Sequence, residues 1–576
     1  MRKEIPKIIQ TFSEIISDNM LYADKTEYIY NLIKKFKVCF LCRPRRFGKS
    51  LLLSTIESLF SGERDLFKGL WIDSSDYTFQ KHPVILLSMD FTDTSKPSLL
   101  KKQLLHSLQK IGKSEGISIS DLTLDAALSD LVEGLFDKYN NFQSTAPKDR
   151  DRQESVQKVV ILIDEYDAPI IDNLDKSSVA KANQITLHNF YREFKKLDKF
   201  IHFILVTGIT QAGRASLGQT TNNIVDISLR PEYAGICGFT LQELDSLFAD
   251  RYEETLNELI AAKQMQPSST VADLRKKILH WYDGYVFDGK TMREETASDK
   301  PIRVLNPFSI VQFFEEKSFD DFWFQAGPAS FLANLIANDP ESFKLKMPPI
   351  ASKRSLRSFI PVSDSPIPIL FQTGYLTLNN VFLEGNETTF SLKIPNMEVE
   401  RGYPWSFYQA YFGYEDISVL FLNGKSFKTA ILNCDAAAIE VILETALAKL
   451  SSEQNIPMEK YYHSVIQAFI NGMGIDARSQ VSSSMGKSDL DLVFSDNVYV
   501  IIEVKFENEP EKSSTMTIED KREKAHSLAK MALEQITKKE CSNHYALQAK
   551  KIIELGLGIF GRSKVRVLMR VRKYAR

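Results

Sequence analysis

The chain has no cysteine framework, no long apolar run and no strong net charge, and each lack removes a class of protein. Its five cysteines, at positions 39, 42, 237, 434 and 541, are scattered over 576 residues. That scatter excludes a small disulfide-stapled scaffold and fits a reducing compartment. Cys39 and Cys42 have C-x-x-C spacing, but they lie in the apolar run "VCFLC" and no second such pair exists, so strand packing is expected and not zinc. No apolar run approaches the ~20 residues of a membrane helix. The N-terminal "MRKEIPKIIQTFSEIISDN" is charged throughout and lacks the apolar core of a secretory signal. The expectation is a soluble cytoplasmic protein that does not engage membranes. The formal net charge is −2, from 72 Lys and Arg against 74 Asp and Glu, so any nucleic-acid contact must come from a local patch. There is no internal repeat and no long low-complexity tract.

What is present is ordinary globular composition, 43% hydrophobic and 25% charged. The length exceeds what one core organises, so two to four domains are expected. The first part alternates strand-like and helix-like segments. "KVCFLC" (37–42), "HPVILLSMDF" (82–91), "QKVVILIDEYD" (157–167) and "KFIHFILVTGIT" (199–210) are near-continuous apolar runs, and helical stretches separate them. That pattern predicts a parallel sheet covered on both faces, a doubly wound α/β domain over residues 1–240. A polar insert at 140–158 reads as a mobile surface loop. Residues 241–300 read as helical. Residues 301–455 mix short helices with strands such as "GYLTLNNVFLEG" and "TTFSLKIP". From 456 onward the order is helix, strand pair, helix, strand pair, a second compact α/β unit over residues 456–576.

The first chemical constellation is the stretch Arg43, Pro44, Arg45, Arg46, Phe47, Gly48, Lys49, Ser50 and Leu51, lying between a strand and a helix. A Gly-Lys-Ser turn there points backbone N–H groups and a helix N-terminus at an anion. Lys49 is placed to reach the β- and γ-phosphates of ATP, and Ser50 to join a Mg²⁺ shell. The usual signature opens with glycine where Arg43 stands. The three arginines either contact this subunit's own nucleotide or face a neighbouring subunit. A carboxylate-tipped strand follows, with Asp164 placed for Mg²⁺ and Glu165 for polarising an attacking water. Thr207 or Thr210, at the end of the next apolar strand, offers a polar sensor beside the γ-phosphate.

The second constellation is "GKSDLDLVFSDNVYVIIEVKF". Asp489 and Asp491 are spaced by two and share a strand face, and Glu503 and Lys505 alternate on the next strand. Two carboxylates can hold Mg²⁺, which polarises a phosphodiester and lowers the pKa of bound water, while a lysine neutralises developing charge. Glu459 on the preceding helix is a further candidate metal-shell carboxylate. His463, one turn on, and Gln535 on the following helix are supporting residues. The last sixteen residues carry seven Lys or Arg and no acid, a candidate contact for a phosphate backbone.

The blocks "YADKTEYIYNLI", "RPRRFGKSLLL", "ILIDEYDAPI", "DISLRPEYAGICGFTLQEL", "WYDGYVF", "NPFSI", "LFQTGYLTL", "IPNMEV", "EKYYHS", "GKSDLDLVF" and "IIEVKF" run in order over nearly the whole chain. Together they resemble the bacterial family that joins an AAA-ATPase-like domain to a PD-(D/E)XK nuclease-like domain. The resemblance implies a P-loop NTPase sheet domain, a helical lid, a winged-helix-like middle region and a restriction-endonuclease-like C-terminal α/β domain. It makes the arginine entrance the family's own form of the loop. It also implies that Lys49, Ser50, Asp164 and Glu165 act on nucleotide and Mg²⁺, that Arg214 senses the γ-phosphate, and that Glu503, Lys505 and one aspartate form the nuclease site. Asp489 and Asp491 both fit that last position. "WYDGY" and "NPFSI" read as core and turn residues.

Three functions follow. The first is an ATP-binding and ATP-hydrolysing protein coupled to Mg²⁺-dependent cleavage of DNA, or of RNA. The second is a nucleotide switch that binds nucleic acid or a partner without cutting. The third is a solitary ATPase with a structural tail. One nucleotide-binding half per chain makes a homo-oligomer plausible, because a second arginine contact must then come in trans.

Overall fold

A computed structural model describes the chain apart from residues 1, 8, 142–155, 175, 213–223, 290–300, 326–329, 339–341, 344–347, 359–364, 385–386, 413–416, 451–457, 476, 480–481, 484–485, 495–496, 511–515, 562–563 and 574–576. Most of the polar insert at 140–158, and Arg214, lie outside the described residues. The chain forms two compact units, Met1–Phe331 with Ser342–Glu400, and Leu332–Glu341 with Arg401–Arg576.

The first unit is built on five strands, β1 (Val38–Cys42), β2 (Val84–Ser88), β3 (Val159–Asp164), β4 (Ile201–Gly208) and β5 (Val225–Asp226). They are all parallel, in the order β2-β3-β4-β1-β5. Every residue of β1 and β3 is buried, which is why β1, and β3 up to Asp164 at its end, are apolar runs and not alternating ones. Cys39 and Cys42 are buried within β1, as strand packing requires. Four of the strands fall on the four apolar runs of the sequence. The fifth has only two residues and leaves no pattern to read. The helical stretch around 98–140 is two helices, Pro97–Glu115 and Leu124–Asn141. Leu104, Leu131 and, from the Ser177–Lys196 helix, Phe190 share one core with Ile161 and Ile163 of β3.

Because the strands are parallel, their carboxyl ends lie at one edge, where α/β sheets place their ligands. From Cys42 at the end of β1 the chain turns into helix α1 (Lys49–Phe60). β1 and β3 are not neighbours, since β4 runs between them. Helices Leu241–Leu247 and Val271–Tyr282 each begin with a capping box, Thr240 with Glu243 and Thr270 with Asp273. Leu244, Leu259 and Ile278 bury against Phe313 and Phe314 of α2 (Pro307–Glu316). Asn306 caps α2 by accepting from the Phe308 N–H at 2.9 Å, and Pro307 follows at the first helical position. Tyr282 and Tyr285 of "WYDGY" are fully buried. "WYDGY" is therefore core, while "NPFSI" caps and opens α2, with Ser309 and Ile310 buried.

In the second unit, α3 (Glu459–Gly472) precedes β6 (Ala477–Ser479), β7 (Leu490–Phe494) and β8 (Val498–Glu507), and α4 (Ile518–Lys538) leads to β9 (Lys551–Phe560) and β10 (Lys564–Lys573). The sheet order is β6-β7-β8-β9-β10. β7 and β8 form an antiparallel hairpin, while β8 and β9 are parallel, with α4 as the crossover a parallel pair requires. The even positions Val500, Ile502 and Val504 of β8 enter a core with α3, and the odd positions Tyr499 and Ile501 enter a smaller one with Ile536 of α4. The odd face carries Glu503 onward to the end of the hairpin.

Candidate functional site

At the edge of the first sheet, Gly48 adopts φ +88°, a left-handed conformation that glycine takes without strain, and releases the chain into α1. Ser50 in the first turn donates its hydroxyl to Asp164 Oδ2 at 2.5 Å. Asp164 Oδ1 accepts from the Thr207 hydroxyl at 2.7 Å and from the Glu165 N–H at 3.0 Å. The strand order explains this chain of contacts. β4 pairs directly with β3, so its Thr207 reaches Asp164 Oδ1 while Ser50 takes Oδ2. Thr210 is engaged elsewhere, donating to the buried Asp167 at 2.7 Å. Lys49 donates to the carbonyls of Arg43 and Pro44 at 3.0 and 2.9 Å. Glu165 sits at φ +49°, a conformation uncommon for a side chain of its kind and one that concentrates at functional sites. Burial, then Asp164 and Asp90, raise its pKa, against Lys49 and Arg45.

A cavity of about 460 Å³ opens beside this turn. Arg45, Arg46, Lys49, Ser50 and Glu165 line its polar part, and Leu21, Tyr22, Phe239 and Phe308 its apolar part. That volume is within the ~300–1,000 Å³ of small-molecule sites. The pairing of an anion-directed turn with an apolar wall suits a nucleoside triphosphate. The adjacent Ser50 hydroxyl and Asp164 carboxylate are oxygen donors of the kind Mg²⁺ takes.

One residue of the loop is not where the sequence suggested. Arg43 is only 1% exposed. Its guanidinium donates to the carbonyls of Cys42 and Ser228 at 2.8 Å and of Tyr233 at 3.0 Å, and lies 4.1 Å over the Phe287 ring. Burial draws its pKa down to about 10. Arg43 therefore faces neither nucleotide nor neighbour and instead ties β1 to the segment after β5. The Phe47 side chain is fully buried, edge-on to Tyr285 and Phe287, which leaves only its backbone to the cavity side. Pro44 packs against Gly374, whose φ is +94° and whose added Cβ would meet Pro44 Cβ at 2.8 Å. Arg45 and Arg46 are the exposed arginines, and Arg46 lies 4.9 Å over the Phe308 ring.

In the second unit, register places Leu490 opposite Ile502 and Asp491 opposite Ile501. Asp489 thus precedes β7 by one residue and lies beside Glu503. Its Oδ2 accepts from the Val504 N–H at 2.9 Å, and its carbonyl is 2.8 Å from His463 Nε2. Glu503 is 0% exposed. Its Oε1 accepts from Gln535 and, at 2.6 Å, from Lys539, while its Oε2 is buried with no partner among the described residues. Burial, then Asp489, push the Glu503 carboxyl up to about 7, against Lys539 and Lys505. A buried, unsatisfied carboxylate oxygen next to a second carboxylate suits a divalent cation.

The other two expected metal carboxylates are engaged differently. Asp491 is 2% exposed and accepts from the Tyr545 hydroxyl at 2.8 Å, two residue pairs deeper along the hairpin. Glu459 accepts from Lys505 at 2.8 Å. Among the described residues, no three His, Cys, Asp or Glu side chains gather into a metal-binding cluster. Much of the basic C-terminal stretch is neutralised internally. Arg570 and Arg572 pair with the buried Glu554, and Arg566 pairs with Glu440 at 2.8 Å.

Comparison with known proteins matches a part of each unit. Residues 6–218 match the family model described as "Predicted AAA-ATPase". Residues 457–568 match that of the PD-(D/E)XK nuclease superfamily. The chain carries an AAA-ATPase-like domain and a PD-(D/E)XK nuclease-superfamily domain. An uncharacterized protein in the vnfD 5′ region of Azotobacter chroococcum mcd 1 is similar, with 29% identity over 507 residues, covering 87% of this chain and 89% of that protein. The parallel five-stranded sheet and the mixed C-terminal sheet are the fold class expected from the sequence. The domain families support ATPase and nuclease-like function. No described helix is long and apolar enough to cross a membrane.

The sequence left some residues unremarked. Leu21, Tyr22, Phe239 and Phe308 of the AAA-ATPase-like domain's cavity come from segments without a chemical motif. Tyr22, Phe239 and Phe308 had no signal beyond lying in the blocks "YADKTEYIYNLI", "DISLRPEYAGICGFTLQEL" and "NPFSI", and Leu21 had none. Lys539 of the nuclease-superfamily domain follows Gln535 by one helical turn. Its only signal was that spacing.

Proposed function

We propose that this protein binds and hydrolyses ATP at the Gly48–Leu51 turn and cleaves nucleic-acid phosphodiesters, of DNA ahead of RNA, in its C-terminal domain. The observation that carries the second half is Glu503, buried beside Asp489 with one oxygen unpartnered among the described residues. ATP fits residues Arg45 to Leu51 and the apolar wall, and Mg²⁺ fits Ser50 with Asp164 and Asp489 with Glu503. At the second site, bound Mg²⁺ supplies polarisation of the phosphodiester and a water of lowered pKa. Lys49 holds phosphate charge, Arg45 adds to it from the cavity edge, and Glu165 orients the attacking water. Thr207 keeps Asp164 Oδ1 engaged so that Oδ2 stays with Ser50. Lys505 neutralises charge developing on the phosphate. Asp489 holds the end of β8 through the Val504 N–H, and His463 fixes the Asp489 backbone. We read residues 241–300 as a lid beside the nucleotide domain of 1–240, residues 301–455 as a winged-helix-like and linking region, and residues 456–576 as the nuclease domain. The setting we propose is cytoplasmic, and the active form a homo-oligomer.

The test is cleavage of DNA and RNA with Mg²⁺, with and without ATP. Cleavage that survives both Glu503→Ala and Lys505→Ala refutes the nuclease assignment. A switch that binds nucleic acid without cutting is favoured by one observation, the pairing of Lys505 with Glu459. It predicts tight DNA binding without turnover, unchanged in Glu503→Gln.

A further inference from the structure

Among the described residues the nuclease-like site holds two lysines that donate to its glutamates, one to each. Lys505, the lysine of the Glu-x-Lys motif, donates to Glu459. Lys539, which no motif marks, donates to Glu503 at 2.6 Å and to the Lys487 carbonyl at 2.9 Å. Lys539 is the C-cap residue of α4, one turn beyond Gln535, and both donate to the same oxygen, Oε1. α4 thus grips Glu503 by one side only. The other oxygen, Oε2, is equally buried and accepts nothing among the described residues. A buried acceptor without a donor is costly, and Asp489 adds a second negative charge nearby. The charge in contact with Glu503 that offsets this is the ammonium of Lys539.

We propose that Lys539 is a resident counter-ion and positioning residue of the nuclease-like site. It holds Glu503 Oε1, leaves Oε2 for a divalent cation, and opposes that cation's entry with its own charge. The inference rests on reading Asp489 and Glu503 as a cation site. Two positive charges against one carboxylate repel, so neutralising Lys539 strengthens cation binding, while Gln535 keeps its hold on Oε1.

The test uses the full chain without nucleotide and Mn²⁺ as the probe, with binding followed by electron paramagnetic resonance. Only the component that disappears in Asp489→Asn is counted. Lys539→Met and Lys539→Gln are expected to bind Mn²⁺ at least about threefold more tightly, and the charge-conserving Lys539→Arg to stay within about twofold of the parent. If that component is present but both neutral variants bind Mn²⁺ equally or more weakly, the inference is overturned and the cation site stands. If no Asp489-dependent component exists, the reading of the site beneath the inference is overturned instead.

Discussion

Replacing Glu398 with Gln should reshape the pH dependence of stability of the first unit. Glu398 is fully buried. Its oxygens accept from the Ser309 hydroxyl at 2.9 and 3.0 Å, and Oε1 also accepts from the Trp323 N–H at 2.8 Å. Ser309 lies on α2 beside Phe308, and Trp323 itself lines the cavity beside the Gly48 turn. Burial is the main reason the carboxyl is pushed up to about 8 from an ordinary 4.5, with Asp320 and Asp321 adding to it against the two hydrogen bonds. Between those values the folded protein keeps a proton that the unfolded chain has lost. Stability therefore falls as pH rises through that interval, by at most ~1.4 kcal/mol per pH unit. Across the whole interval the ceiling is ~5 kcal/mol, after which the dependence flattens. Glutamine is neutral throughout and keeps an oxygen for the Trp323 N–H. Glu398→Gln should unfold within about 1 kcal/mol of wild type at pH 5 and be several kcal/mol more stable at pH 8.5. The assay is denaturant unfolding of the full chain from pH 5 to 8.5, followed by tryptophan fluorescence, with the first unit's transition fitted separately. ATP affinity in the same series should decline with pH in wild type and not in the variant. Parallel stability curves for the two proteins would refute the reasoning, since Glu398 would then be ionised in the fold.

Three further expectations concern the two sites. Arg43→Met takes the guanidinium from the buried Cys42 and Ser228 carbonyls and from that of Tyr233, which keeps the Ile236 N–H, and should destabilise the first unit by ~3–5 kcal/mol. A variant that melts like wild type but loses ATP binding would return Arg43 to the nucleotide. Gly374→Ala forces an unfavourable φ and crowds Pro44, so unfolding should show a loss of ~1–3 kcal/mol together with weaker ATP binding. Asp489→Asn should abolish Asp489-dependent Mn²⁺ binding and lower cleavage at least ~100-fold, whereas Asp491→Asn should leave cleavage within ~10-fold and act mainly on the melting temperature. Equal losses of cleavage in both variants would show that Asp491 shares the cation.

Strands β1 and β3 were legible because a strand buried on both faces must be apolar at nearly every position, and few other elements are; β2, at the sheet edge, is apolar although Leu86 is exposed. The Gly-Lys-Ser turn and the acid-tipped strand were legible because both follow directly on such strands. Arg43 was misread because a charged side chain in a loop ordinarily faces water. Here the carbonyls of Ser228 and Tyr233, from a distant part of the chain, surround it. Asp489 and Asp491 were inseparable in one dimension because both lie on the same face of one hairpin. The register, and Tyr545 reaching Asp491, distinguish them. The basic C-terminal strand was read as a phosphate contact because its counter-charges, Glu554 and Glu440, lie elsewhere in the chain.

The sequence alone thus determined the local matters: which runs become strands, where α1 begins, and which residue types of phosphate chemistry stand at the strand ends. Those depend on periodicity and backbone preference over a few residues. The tertiary structure alone decided the partners. It put β4 between β1 and β3 so that Thr207 braces Asp164, buried Arg43 as a strut, walled the cavity with Tyr22 and Phe308, and brought Lys539 to Glu503. Each of these joins residues far apart in the chain, and whether a charge meets solvent, phosphate or an internal counter-charge depends on what the fold packs against it.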